Sequence, residues 1–213
     1  MLLADRRRAG QLVDGWAAAN GYERAVMELL EPVLDRFGQR WTKEGGVSLA
    51  QAYIAGRIAE DIMNKAAISL SEADRSPYYK GPFVIGNIED DCHVLGRRLV
   101  TTFLRVAGWG VHDLGNDVPP AVFVDKALEI GARVIGASAL MTSTAVNIKK
   151  LRNEIDRRGM NGVIQLAVGG AVFKLHPDLV EEVGGDGTAV NALQVPALVE
   201  QLWARAEVAE ADR

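Results

Sequence analysis

The stretch Asp91-Cys92-His93-Val94-Leu95-Gly96 follows the apolar run Phe83-Val84-Ile85-Gly86 and leads into a helix-like segment from Arg97 to Ala107. A strand-to-helix junction of this kind puts His93 at the carboxyl edge of a sheet, where open α/β sheets gather their ligands. Asp91 and His93 lie two positions apart in an extended loop. That spacing lets the carboxylate hold one imidazole nitrogen by a hydrogen bond while the other faces outward toward a metal.

Around this junction the chain changes grammar. After Pro82, short apolar β-branched runs alternate with helical patterns, which signals βαβ units and a parallel sheet. Five strands are expected: Phe83–Gly86, Trp109–Leu114, Val134–Ser138, Val163–Val168 and a weak last one near Gly187–Val190, with helices starting near Leu95, Pro119, Thr144, Pro177 and Pro196. Near-continuous apolarity in the strong strands suits a sheet covered on both faces.

Before Pro82 the pattern is helical. Leu12, Val13 and Trp16 recur at helical spacing and stop at Asn20-Gly21; a long helix is expected from Tyr22 to Trp41, bent or split by Pro32. Gly45-Gly46 ends it, and Ser48 with Gln51 forms a capping box for a helix to about Ala67 whose Ala52, Ala55, Gly56 and Ala59 permit close approach. Ser69 to Lys80, polar and containing Pro77, reads as the connection, giving domains 1–80 and 81–213.

Composition narrows the function. With 213 residues, 48% hydrophobic, the chain can bury a sizeable core. A net charge of −4 and pI near 5.5 argue against a nucleic-acid surface, and Arg6-Arg7-Arg8 reads as a solvated helix face. No run reaches bilayer length and the start lacks an apolar leader, so a cytoplasmic protein with no membrane partner is expected. The single Cys92 excludes an internal disulfide or a multi-cysteine metal site.

Three strand ends line up on one edge: Asp91–Gly96, Ser138-Ala139-Leu140, and Gly169-Gly170-Ala171. Gly96 admits close backbone approach, Ser138 and Thr142 offer hydroxyls, and Gly169-Gly170 leave room for a bound group. Taken singly, His93 could be a structural histidine, Thr142 and Thr144 helix caps, Trp41 a core residue, and His112 and His176 loop or surface residues.

The ordered triple Asp-x-His-x-x-Gly, Ser-x-Leu and Gly-Gly resembles the cobalamin-binding domain of methionine synthase, corrinoid methyl-carrier proteins and base-off mutases, and the N-terminal helices resemble the cap that precedes it. The resemblance implies a helical-bundle cap followed by a flavodoxin-like, Rossmann-type sheet binding cobalamin (methylcobalamin, cob(I)alamin or a related corrinoid). It implies that His93 is the lower cobalt ligand, Asp91 its partner, and Thr144 the residue completing the relay. Cys92, Val94, Leu95 and Gly96 lie in the motif. Ser138, Leu140, Thr142, Gly169, Gly170 and Ala171 would line the path of the nucleotide tail, and Asp186 and Ala192 fall in a closing loop around it. Asp113-Leu114-Gly115 with Val118-Pro119 resembles the family's loop alongside the corrin.

Light-sensing members carry Glu-His where this chain has Ala52-Tyr53, which lowers a photoreceptor reading. The function implied is methyl carriage between separate donor-side and acceptor-side methyltransferases, served by a reductive activase, the carrier itself being non-catalytic and compatible with an oligomer. A catalytic (β/α)8 domain alone needs about 250 residues. The alternatives are a cobalamin-dependent sensor or storage protein and the B12-binding subunit of an adenosylcobalamin mutase.

Overall fold

The computed structural model describes residues 5–43, 48–72 and 79–211. The chain forms two compact units, Met1–Arg75 and Ser76–Arg213.

The first unit is helical: α1 (Arg6–Asn20), α2 (Tyr22–Ala25), α3 (Glu31–Lys43) and α4 (Leu49–Glu72). Asp5 caps α1 by accepting from the Arg8 amide, and Gly21 ends it at φ +84°. The expected long helix from Tyr22 is not split at Pro32 but widened before it. Val26–Leu30 form a π-helical segment in which the Glu31 amide reaches back to the Val26 carbonyl, a spacing that absorbs the backbone donor proline lacks. Ser48 and Gln51 make the reciprocal capping box, Gln51 Oε1 accepting from the Ser48 amide at 2.8 Å and Ser48 Oγ from the Gln51 amide at 3.2 Å. Helix α4 then runs to Glu72, beyond the expected stop at Ala67, because Ser69–Glu72 holds no breaker. Ala55, Ile58, Ala59, Ile62 and Ala66 are buried along it. Arg6 is not simply solvated, since its guanidinium pairs with Asp61 on α4 at 2.6 and 2.8 Å. Gly45-Gly46 and the Trp41 side chain lie outside the described residues.

The second unit is a parallel sheet in the order β2-β1-β3-β4. Its strands are β1 (Gly81–Asn87), β2 (Trp109–Asp113), β3 (Val134–Ser138) and β4 (Gln165–Gly169). Side chains alternate between two cores. Val84, Ile135, Leu166 and Val168 pack with Phe123, Ile148, Leu151 and Ile155 of the helices α6 (Pro120–Ile130) and α8 (Ile148–Arg157). Phe83, Ile85, Val134 and Ala167 pack on the other face with Leu104 of α5 (Val94–Val106) and Val199 and Leu202 of α11 (Val195–Ala211). Truncating one such fully buried leucine to alanine costs about 2–5 kcal/mol. A β-carbon on Gly136 would meet the Phe83 ring at 2.7 Å, so this glycine leaves room for an aromatic side chain against β3.

Among the described residues four strands form, not five. The stretch expected as a fifth contributes one parallel bridge, Gly187 to Ala167, held by Asp186 N to Leu166 O and Val168 N to Gly187 O at 2.8 and 2.9 Å. Three glycines among residues 184–187 supply no side chains for a pleated face. The helix expected to begin near Pro177 is the single turn α10 (Leu179–Glu182), and a further short helix not expected, α9 (Ala171–Leu175), precedes the proline. Val163 falls in a turn, so β4 begins at Gln165.

Candidate cofactor site

Strand order reverses between β1 and β3, and the crevice at such a switch point is where doubly wound sheets bind ligands. β1 ends at Asn87, paired in register with Ser138, and Ser138 is paired in turn with Gly169. This register sets the three motif ends side by side.

Asp91 is the fixed point. Its carboxylate is fully buried, and each oxygen is assigned. Oδ1 accepts from the His93 amide at 3.0 Å and from Asn87 Nδ2 at 2.8 Å, and faces His93 Nδ1 at 3.3 Å. Oδ2 accepts from the Leu140 amide at 2.8 Å and from Thr144 Oγ1 at 2.9 Å. Burial alone would push the carboxyl's pKa up, but the bonds from the Leu140 and His93 amides, Asn87 and Thr144 together hold it below the ordinary value. An ionised Asp91 only accepts, so the proton of a neutral His93 ring sits on Nδ1 and leaves the lone pair on Nε2. The His93 side chain is 49% exposed while that of Asp91 is sealed, so the ring presents Nε2 from a closed base.

Thr142 is the first residue of the helix α7 (Thr142–Ala145), whose N-cap is Met141. Thr142 makes no side-chain cap and is exposed. Thr144, by contrast, donates inward to Asp91. Leu140 is 40% exposed, and Ser138 is half-buried at the strand end. A β-carbon on Gly96 or Gly169 would have no neighbour within 4 Å, so open space lies over both. Gly170 differs, since at φ +124° its β-carbon would strike the Ala139 carbonyl oxygen at 1.9 Å. Ala171 opens α9 and is exposed, as is Cys92.

Asp186 does not reach this edge. Its carboxylate turns toward β4 and α8, taking bonds from the Leu166 amide at 2.6 Å and Arg152 Nη2 at 2.7 Å. Ala192 lies in a 3-10 turn that packs on α5. Among the described residues no cluster of three or more His, Cys, Asp or Glu could hold a metal ion.

The motif reading missed the polar residues beneath the loop. Asn87 and Arg97 are buried and hydrogen-bonded to each other, and Arg97 also reaches Asp113 and Asn116 in the loop after β2. The available signals were a polar residue closing an apolar strand and an arginine one helical turn past His93. On the neighbouring rim, Asp90 and Asp117 hold positive φ of 69° and 52°, and Asp117 Oδ1 accepts from the Asp90 amide at 2.8 Å.

The donor set fits a corrinoid: one outward imidazole on a sealed carboxylate, beside an opening lined by glycine. Comparison with known proteins agrees. The model of the B12 binding domain matches residues 81–197. The chain is 40% identical over 119 residues to trimethylamine corrinoid protein 1 of Methanosarcina mazei, covering 56% of this chain and 54% of that one, so it spans about half that relative's length. It is 36% identical to dimethylamine corrinoid protein 1 of the same organism over 149 residues, 68% of each chain. The solved monomethylamine corrinoid protein of Methanosarcina barkeri shares the fold at TM-score 0.76, covering 93% of both chains at 24% identity. A sealed aspartate behind an exposed histidine at the switch point, and a family model spanning this whole sheet, make the chain a member of the B12-binding domain family.

Proposed function

We propose that the chain is a methyl carrier of a multi-component methyltransferase system, holding a corrinoid with His93 beneath its cobalt in place of the nucleotide base. The observation that supports this most is the five-donor embrace of Asp91, which fixes the Nδ1 proton and aims the Nε2 lone pair outward. When bound, the corrinoid supplies a cobalt that takes up and gives away a methyl group, while the protein supplies orientation and ligand tuning. Gly169, Gly170 and Ala171, with Ser138, Leu140 and Thr142, would flank the nucleotide tail, and Gly96 would leave room above the first turn of α5. Asp91 holds the ring proton in place, and Thr144 holds Asp91.

Methyl donor and acceptor sites belong, on this reading, to separate methyltransferases in the cytoplasm, with a reductive activase restoring the carrier. The similarity to trimethylamine and dimethylamine corrinoid proteins makes methylamines the first donors to try. Transfer of an isotope-labelled methyl group from either amine to the reduced, corrinoid-loaded chain, in the presence of the methyltransferase that co-purifies with it, is the expected result. Failure with every amine and cognate enzyme would sink the carrier reading. For ligation, methylcobalamin bound to wild type should keep the absorption of a nitrogen-ligated cobalt, and His93→Ala should shift to that of a cobalt without it; identical spectra from the two would remove His93 from the metal.

A further inference from the structure

Asn87 stands between a group that can only donate and a group that can only accept. Its Oδ1 receives Arg97 Nε at 2.7 Å, and its Nδ2 donates to Asp91 Oδ1 at 2.8 Å and to the His93 carbonyl at 3.1 Å. A guanidinium has no acceptor and an ionised carboxylate no donor, so this amide has one orientation that satisfies both neighbours. Flipped, it would present oxygen to carboxylate and nitrogen to guanidinium. Arg97 is itself clamped by Asp113 and by Asn116 Oδ1 at 3.0 Å, and it is 5% exposed. Its fork therefore ties the end of β1, the first turn of α5 and the loop after β2 into one unit.

We infer that Arg97 is a positioning residue for cobalt ligation: by fixing the polarity of the Asn87 amide it holds Asp91 Oδ1 against His93 and so favours the histidine-bound form of the cofactor. This rests on the reading of His93 as the lower ligand. Arg97 touches neither the ring nor the metal and acts through two hydrogen bonds in series. A lysine at 97 offers a point charge without the fork that reaches Asn87, Asp113 and Asn116 together, and a glutamine can itself flip and no longer dictates the amide.

The full chain, labelled with 15N-histidine and reconstituted with cobalamin reduced to the cob(II) state, reports ligation directly in its electron paramagnetic resonance. A labelled histidine on cobalt splits each line into a doublet, whereas the 14N of the cofactor's own base gives a triplet. Wild type should show the doublet and His93→Ala should not; a triplet in both overturns the ligation reading itself. Given a wild-type doublet, Arg97→Gln should lower the ratio of histidine-bound to histidine-free cofactor by about tenfold, the scale of one charge-assisted hydrogen bond. Arg97→Lys should fall between the two. Val134→Ala, a core change at the opposite edge of the sheet, reports the effect of destabilisation alone. An unchanged ratio in Arg97→Gln, or an equal fall in Val134→Ala at matched loss of melting temperature, overturns the inference while leaving His93 as ligand. Should Arg97→Gln not fold, Asn87→Leu tests the same link, and a wild-type ratio there overturns it equally.

Discussion

Two adjacent glycines do different work. Gly170 is held at φ +124° against the Ala139 carbonyl, whereas Gly169 has ordinary backbone and empty space where a side chain would go. Gly170→Ala should therefore destabilise the cofactor-free protein by about 3 kcal/mol or more, through strain and collision together. Gly169→Leu should leave its stability within about 1 kcal/mol yet weaken cobalamin binding by about tenfold or more, a loss of roughly 1.4 kcal/mol. Chemical denaturation and a binding titration on both variants check this, and equal behaviour of the two would show that the opening over Gly169 is not the path of the cofactor. At this scale much was legible. Asp91 and His93 follow from a spaced motif and Thr144 from the family resemblance, and the structure joins all three directly. Asn87 and Arg97 were not, because an amide's partner depends on which strand end and helix turn converge in space. The hydrogen bonds of Asp186 were hidden for the same reason: its position after a glycine run says nothing of the Leu166 amide and Arg152 that meet its carboxylate.

Among the elements, α8 is fastened by charge at its carboxyl end. Glu154 accepts from Arg157 at 2.7 and 2.8 Å and from Arg158 Nε at 2.8 Å, while Arg158 Nη2 crosses to Asp125 of α6 at 2.8 Å. The two arginines, which also suit the helix's negative end, pull the Glu154 pKa from 4.5 to about 2. A carboxyl depressed on folding contributes stability above its unfolded pKa and loses it as pH falls through the folded value. Melting curves of wild type and Glu154→Gln should thus differ at neutral pH and draw together between pH 4.5 and about 2; a gap that persists at the acid end would assign the effect to packing. Continuous apolar runs made β1 and β3 readable, since burial on both faces leaves little else for a sequence to say. The fifth strand was not readable as a single bridge, because a glycine-rich segment can pair its backbone at one point without the side chains that extend a ladder. The π segment before Pro32 was equally hidden: proline announces a lost hydrogen bond but not whether the helix breaks or widens.

Over the whole molecule, the second unit carries the two cores of the sheet, its four described strands and every residue proposed for the cofactor. Residues 79–213 expressed alone should fold cooperatively and bind cobalamin, with the histidine-bound spectrum of the full chain. A chain that melts without a transition, or binds only when residues 1–78 are restored, would show that the helical unit is part of the site. The change of periodicity near Pro82 made two kinds of architecture legible, whereas the continuation of α4 to Glu72 was masked by polar residues that are compatible with a helix and with a loop.

The donors that surround Asp91 are scattered along the chain, the Leu140 amide 49 positions away and the Thr144 hydroxyl 53. Until β3 docks beside β1, the carboxylate has only its local partners, and sealing it would bury a charge with half its hydrogen bonds unmade. Contacts this distant in sequence form late, after the loop between them has been closed. The cluster around Asp91 therefore forms together with the β1–β3 ladder, and a newly made chain cannot complete it until residue 144 has been synthesised.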